Sequence, residues 1–307
     1  MRHRILVTTQ MMIHQQERFT AWLEGEGFDV DFVMNEQFLD ESECMQLQPI
    51  YDGWIAGDDQ VTPAVIDHLK SRLKVISKWG TGIDSIDKEY AESNGVKVKN
   101  SPGAFSDAVG EIAVGYLLAM TRGILDTDRA VRENRWPKKQ FRTLVAMKVG
   151  LIGMGAIGQG VARRLYALGC DVSYTDPSAH DPKYKRVELS ELFESNGAVI
   201  VTCNLNRATH HLVNKEILDL VTSEFFLVNV SRGPIVSEID LIDAIKEGKV
   251  TGAALDVFET EPLPLNSGLR NLPGVIFGSH NANNTFDAVE YVHGNTVKQL
   301  IDVLRVA

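Results

Sequence analysis

The chain is poor in cysteine, in excess positive charge and in long apolar runs, and each shortage excludes something. Its 307 residues include three cysteines, Cys44, Cys170 and Cys203, widely separated in sequence. They form neither a disulfide framework nor a metal-ligand spacing, so no metal site is expected. Buried free thiols in a reducing compartment are the expectation. Lysine and arginine total 31 against 41 acids, a net charge of -10. A nucleic-acid partner needs a basic face, and none is expected here. No apolar run reaches the ~18 residues of a membrane span. Met1-Arg2-His3-Arg4 leads straight into strand-like sequence, without a secretory apolar core. A cytoplasmic protein with no membrane partner is expected.

What is present is core. Hydrophobic residues make up 44% of the chain, ample for the two domains its length suggests. The informative stretch is Val149 to Gly158. A short apolar run enters Gly-x-Gly-x-x-Gly, and a helical pattern continues through Val161, Leu165 and Leu168. Each glycine has a role: Gly153 for the turn, Gly155 for close approach of a pyrophosphate, Gly158 for packing helix on strand. A second strand, Asp171 to Thr175, ends at Asp176, where a carboxylate takes a ribose hydroxyl. Strand, helix and acid together predict a dinucleotide site. The alternative is an ordinary glycine turn with a capping aspartate.

Strands and helices alternate on both sides of this stretch. Arg4–Thr8, Phe28–Met34, Tyr51–Ala56, Leu73–Lys78 and Val96–Val98 read as strands of a first parallel unit, complete near residue 100. Thr62-Pro63 opens a helix within it. A helix near 106–122, headed by Ser106 or Asp107, is apolar around nearly its whole girth and should be buried all round, at a subunit or domain interface. Arg129 to Met147 reads as a polar connector or arm. The second unit adds strands at Ala198–Thr202, Phe225–Val230, Thr251–Leu255 and Val275–Gly278. Its helices are opened by Ser190, Asn214 and Ser237, the last with Asp240 as capping-box partner. An amphipathic helix, about Thr285 to Leu304, ends the sequence. The fold class is α/β, with two Rossmann-like, doubly wound parallel sheets.

Ligands of such sheets bind at the carboxyl ends of the strands. Arg232, Glu261 and His280 follow three successive strands there. A histidine moves a proton near neutral pH, a carboxylate on its other nitrogen favours the imidazolium, and a guanidinium grips a carboxylate in a fork. The set suits hydride chemistry on a hydroxy acid. Taken singly, each residue is equally at home as a surface arginine, a solvated loop acid or a core histidine.

At these residues the sequence resembles the D-isomer-specific 2-hydroxyacid dehydrogenases. The likeness rests on Gly80 to Asp87, Asn100 to Gly103, Gly150 to Gly158 with Asp176, Val228 to Gly233, and Ala254 to Pro262. It implies catalytic Arg232, Glu261 and His280. It implies NAD contacts at Gly153, Gly155, Ala156, Ile157, Gly158, Asp176, Asn204, Val230, Ser231, Arg232, Asp256, His280 and Asn283. It implies a flavodoxin-like substrate domain of residues 1–100 plus 283–307, an NAD-binding Rossmann domain of 101–282, and a homodimer built on the long helix. Lys78-Trp79-Gly80-Thr81-Gly82 resembles the substrate turn of the phosphoglycerate dehydrogenase branch, in a short form without a regulatory C-terminal domain. Trp136-Pro137-Lys138-Lys139 resembles the segment that reaches a neighbouring subunit's substrate, which implies a substrate contact at Lys138. With Arg232 and His280, these residues form the implied substrate set. The substrate expected is D-3-phosphoglycerate or another anionic-tailed 2-hydroxy acid. Against it, Asp58 and Asp59 would repel a phosphate. Ser279-His280-Asn281-Ala282-Asn283-Asn284 also departs from the family's usual Pro-His-Ile-Gly-Gly. A glyoxylate, hydroxypyruvate or other 2-oxo acid reductase, and an NAD-sensing scaffold resembling a corepressor, are the rival readings.

Overall fold

The computed structural model describes residues 2–306. The chain divides into two units, Met1–Phe105 with Thr285–Ala307, and Ser106–Asn284. The borders lie a few residues from those expected. Ser101 N donates to Gly80 O, Asn295 Nδ2 donates to Ser101 Oγ, and Phe105 packs on Trp79. These contacts keep 101–105 with the first sheet.

The first unit holds five parallel strands: β1 (Arg4–Val7), β2 (Asp29–Phe32), β3 (Gly53–Ala56), β4 (Val75–Lys78) and β5 (Lys97–Lys99). Their order is β2-β1-β3-β4-β5. All residues of β3 and β4 are buried, as expected for central strands covered on both faces. One core gathers Leu6, Trp54, Ile66, Leu69 and Ile76. Thr62 caps the helix Pro63–Leu69 by accepting from Val65 N. The helix Phe286–Leu304 buries Val292, Val297, Leu300 and Leu304. Each such side chain contributes about 1.5–3 kcal/mol on burial. Gly53 admits this helix: a Cβ there would meet Leu300 and Leu304 at 3.1 and 3.2 Å.

His293, on the same helix, is fully buried against Phe19 and Trp79. Its Nδ1 accepts from Trp79 Nε1 at 3.0 Å, so the neutral ring carries its proton on Nε2. Burial lowers its pKa to about 4. The unfolded histidine takes up a proton at higher pH than the folded one, so acid favours unfolding. The stability contributed by the neutral ring is complete above ~6.5 and falls by on the order of 3 kcal/mol by pH ~4. Thermal unfolding followed between pH 7 and 4.5 should show this loss. His293→Gln, which keeps an acceptor for Trp79 but cannot titrate, should flatten it. An unchanged slope in that variant would assign the acid sensitivity to other groups.

The second unit holds seven parallel strands: β6 (Lys148–Ile152), β7 (Asp171–Thr175), β8 (Lys185–Arg186), β9 (Ala198–Val201), β10 (Phe226–Asn229), β11 (Gly252–Leu255) and β12 (Val275–Phe277). Their order is β12-β11-β10-β9-β6-β7-β8, which reverses direction between β6 and β9. The carboxyl ends at that reversal are where a doubly wound sheet binds its ligand.

The long helix Ser106–Thr121 lies on the helix Ala156–Ala167 through facing glycines. A Cβ on Gly160 would stand 2.6 Å from Ser106 O, and one on Gly110 would stand 3.3 Å from Gly160 C. The helix is not buried all round by its own chain. Ala113, Val114 and Leu117 are covered, while Glu111, Ile112 and Gly115 are exposed.

Three local expectations are corrected. The connector begins as a helix, Ile124–Arg132, because Gly123 at φ +56 ends one helix and opens the next. Only 133–147 lacks helix and strand. The helix expected at Ser190 starts at Leu189. Ser237 heads Glu238–Lys246 without a side-chain cap, since Asp240 accepts from Lys215 N instead. Asn214 does cap its helix, accepting from Ile217 N. Among the described residues no single helix is long and apolar enough to cross a membrane.

Candidate active site

β6 runs into the glycine turn, and the three glycines differ in what requires them. Gly153 has φ +98, and a Cβ there would lie 2.7 Å from Cys203 N and Cα. At Gly158 a Cβ would lie 2.3 Å from Gly153 O. The chain's own packing excludes side chains at both. At Gly155 a Cβ would meet nothing within 4 Å, and φ is -70, which any residue adopts. The chain's own packing does not call for glycine there, and the backbone is left open to a group laid against it. Ala156 and Ile157 start the helix, where first-turn N–H groups lack intrahelical partners and suit a phosphate. Thr202, not singled out from the sequence, fastens the turn by donating to Gly153 O at 2.9 Å.

Asp176 ends β7 beside this turn. Its Oδ2 accepts from Met154 N, and its Oδ1 from Ser178 N, Ala179 N and the Ser178 hydroxyl. Burial pushes its pKa up, but the bonds from Met154, Ala179 and Ser178 outweigh it and hold the carboxyl below its ordinary range. An anion fixed there is suited to accept ribose hydroxyls and to repel a 2′-phosphate. Open glycine, helix start and anchored carboxylate together fit a dinucleotide.

Beyond β10, Asn229 shapes the loop that carries Arg232. Its Nδ2 donates to Arg232 O at 2.9 Å, and its Oδ1 accepts from Ser231 N. Ser231 Oγ donates to Cys203 O, and Arg232 Nη1 donates to Ser231 O. Val230 is buried, Asn204 is exposed and Asn283 is half-exposed.

Glu261 and His280 meet. His280 Nδ1 stands 2.7 Å from Glu261 Oε2, and Glu261 Oε1 accepts from Phe258 N at 2.9 Å. The carboxylate thus holds the proton on Nδ1, leaving Nε2 as the nitrogen that gains or loses one. His280 sits in the left-handed region at φ 53. That conformation costs ~1–2 kcal/mol for a non-glycine residue. Its N–H donates to Asp256 O at 2.7 Å, which helps hold it there. Asp256 is buried, and its Oδ2 accepts from Ala282 N. Behind the pair, Glu238 and Glu259 accept from each other's backbone N–H, and His211 Nε2 lies 3.0 Å from Glu259. Burial, then Glu259 and Glu261, push the Glu238 carboxyl up.

The proposed substrate turn belongs to the first unit. Gly80, at φ +124, accepts from Ser101 N, and Asn100 Nδ2 donates to Thr81 O. Trp79 is fixed by His293, and Gly82 is half-exposed. Lys78 is buried, donates to Trp79 O and pairs with Asp58 at 3.1 Å. The two acids of that loop therefore have different fates. Asp59 turns inward, buried, and accepts from Thr8 Oγ1, Leu39 N and Gly57 N. Burial pushes its pKa up. Lys138 lies on the exposed stretch of the second unit.

Among the described residues no group of histidine, cysteine, aspartate or glutamate is placed to hold a metal ion.

A family model described as D-isomer specific 2-hydroxyacid dehydrogenase, NAD binding domain, matches residues 114–282. A glyoxylate reductase of Thermofilum pendens is 36% identical over 259 residues, which span 80% of this chain and 76% of that protein. The crystal structure of a Thermus thermophilus protein superposes with a TM-score of 0.85 at 29% identity, over 98% of this chain and 97% of that one. A D-lactate dehydrogenase of Aquifex aeolicus, solved with NAD and lactic acid, shares the fold. Its TM-score is 0.88 at 23% identity, over 98% of this chain and 95% of that one.

Proposed function

This chain belongs to the D-isomer specific 2-hydroxyacid dehydrogenases, NAD-dependent oxidoreductases of CH–OH groups, and within that family we propose that it reduces a short 2-oxo acid with an uncharged tail. The observation that carries the chemistry is the His280–Glu261 contact, with the second carboxylate oxygen tied to Phe258 N. His280 gives a proton to the substrate oxygen in reduction and takes it back in oxidation. Glu261 fixes the ring and favours its charged form. Arg232 grips the substrate carboxylate through its planar fork. Bound NAD supplies the hydride acceptor or donor. Gly155, Ala156 and Ile157 cradle its phosphates, Asp176 its ribose, and Asp256 its carboxamide. The exposed side of the long helix, with Ile112, is the surface we assign to a homodimer.

The choice of tail rests on Lys78. A phosphorylated acid, the substrate favoured by the sequence, needs a cation to spare, and Lys78 is already paired with Asp58. A short uncharged tail asks for none. The test is a panel of 2-oxo acids followed by NADH absorbance. Glyoxylate, hydroxypyruvate or pyruvate should exceed 3-phosphohydroxypyruvate in kcat/KM by roughly tenfold or more, a difference of about 1.4 kcal/mol. Asp58→Asn, which removes the charge paired with Lys78, should narrow that gap. Preference for the phosphorylated acid in the unmodified protein would overturn the assignment.

A further inference from the structure

Gly278 follows β12 directly, two residues before His280. A Cβ there would lie 2.1 Å from Asp256 Oδ1 and 2.5 Å from the Tyr116 hydroxyl. The space a side chain would occupy is filled by that pair, with Tyr116 OH donating to Asp256 Oδ1 at 3.2 Å. Tyr116 comes from the long helix Ser106–Thr121, at the far end of the sequence of this unit. Burial, and then the Asp256 charge, push its phenol up, so it stays a donor at every working pH.

Asp256 is 1% exposed. Its carboxylate receives two side-chain-directed bonds among the described residues, from Tyr116 OH and from Ala282 N at 3.0 Å. A carboxylate offers about four acceptor positions. A buried one with two donors has capacity for another, and leaving it unmet is costly. One donor on each oxygen sets the plane of the group and hence where the remaining capacity points. Ala282 is fixed by the backbone. Tyr116 is the donor that a single side-chain change can remove.

We propose that Tyr116 is a positioning residue, which orients the Asp256 carboxylate to accept from the amide of the nicotinamide carboxamide. This rests on the reading of Asp256 as a cofactor contact. Phenylalanine at 116 keeps the ring and its packing but leaves Oδ1 without its donor, and the group is then free to turn.

The experiment is calorimetric binding of NAD and of its 3-acetylpyridine analogue, whose methyl ketone has no N–H to give. The unmodified protein should bind NAD more tightly than the analogue. Tyr116→Phe should weaken NAD binding roughly tenfold and leave the analogue nearly unchanged, so the preference collapses. A merely structural role would weaken both ligands together. Gly278→Ala pushes the same two groups apart and should narrow the preference in the same way, which keeps the proposal testable if Tyr116→Phe does not fold. Equal binding of the two ligands by the unmodified protein removes Asp256 as an amide acceptor, and this proposal with it. Full preference retained in both variants removes Tyr116 alone and leaves the reading of Asp256 standing.

Discussion

Replacing His280 by alanine is expected to lower turnover by roughly 10²–10⁴-fold in both directions. The proton on the substrate oxygen needs a carrier, and Arg232 cannot serve, because a guanidinium does not deprotonate in a protein. Reduction needs the imidazolium and oxidation the neutral ring. One group should therefore govern opposite limbs of the two pH–rate profiles. Glu261→Gln sharpens the test. An amide oxygen still accepts from Nδ1–H and keeps the ring oriented, so turnover should fall less than in His280→Ala. The charge that favours the imidazolium is gone, so the shared limb should move to lower pH in both directions. A limb that stays in place would separate Glu261 from the proton chemistry, despite the 2.7 Å contact.

Gly233→Ala is expected to be nearly as damaging, for a reason unrelated to protons. A Cβ there would lie 1.8 Å from the carbonyl carbon of Phe258, 1.9 Å from its oxygen and 2.4 Å from Glu259 N. Backbone meets backbone, so no side chain can swing aside. One strand-end loop must move off the other. Both are pinned: the first through Asn229 to Arg232 O, the second through Phe258 N to Glu261 and Glu259 N to Glu238. Arg232 precedes the glycine, and Glu261 follows Phe258 by three residues, so separating the loops misplaces both. The variant should lose more than ~3 kcal/mol of stability, in the range reserved for core overpacking and backbone strain. Turnover should fall about a hundredfold or more, as reacting groups shift by an ångström. Chemical denaturation and steady-state kinetics report the two effects separately. Wild-type values in both would show that the loops part without cost.

The parallel sheets were legible because their strands are short apolar runs between charged or glycine-bearing ends. β3 and β4 are buried throughout, and nothing competes with that signal. β8 escaped because Lys185-Arg186 is a charged edge pair with no apolar residue to mark it. The helix Ile124–Arg132 escaped because its evidence is a glycine conformation and i,i+3 and i,i+4 ion pairs, which look polar in sequence. Asp58 and Asp59 show the limit most clearly. Adjacent and chemically identical, they differ only in direction: one pairs with Lys78, and the other is folded inward onto backbone N–H groups. Composition carries no trace of that. The position of Tyr116 was hidden in the same way. On a helix that reads as a continuous apolar surface, its hydroxyl looks incidental until Asp256 is found against it.

The first sheet is finished by residues that follow the whole second unit in the chain. Until Phe286–Leu304 arrives, Gly53 lacks Leu300 and Leu304, and the Trp79 indole lacks its acceptor on His293. Residues 106–284, by contrast, are contiguous and contain every strand of their own sheet. On the ribosome the first unit therefore cannot be completed until the second has been synthesised. The segment synthesised first waits with an apolar sheet face uncovered, and the insertion that interrupts it can complete its fold before the strands that emerged ahead of it.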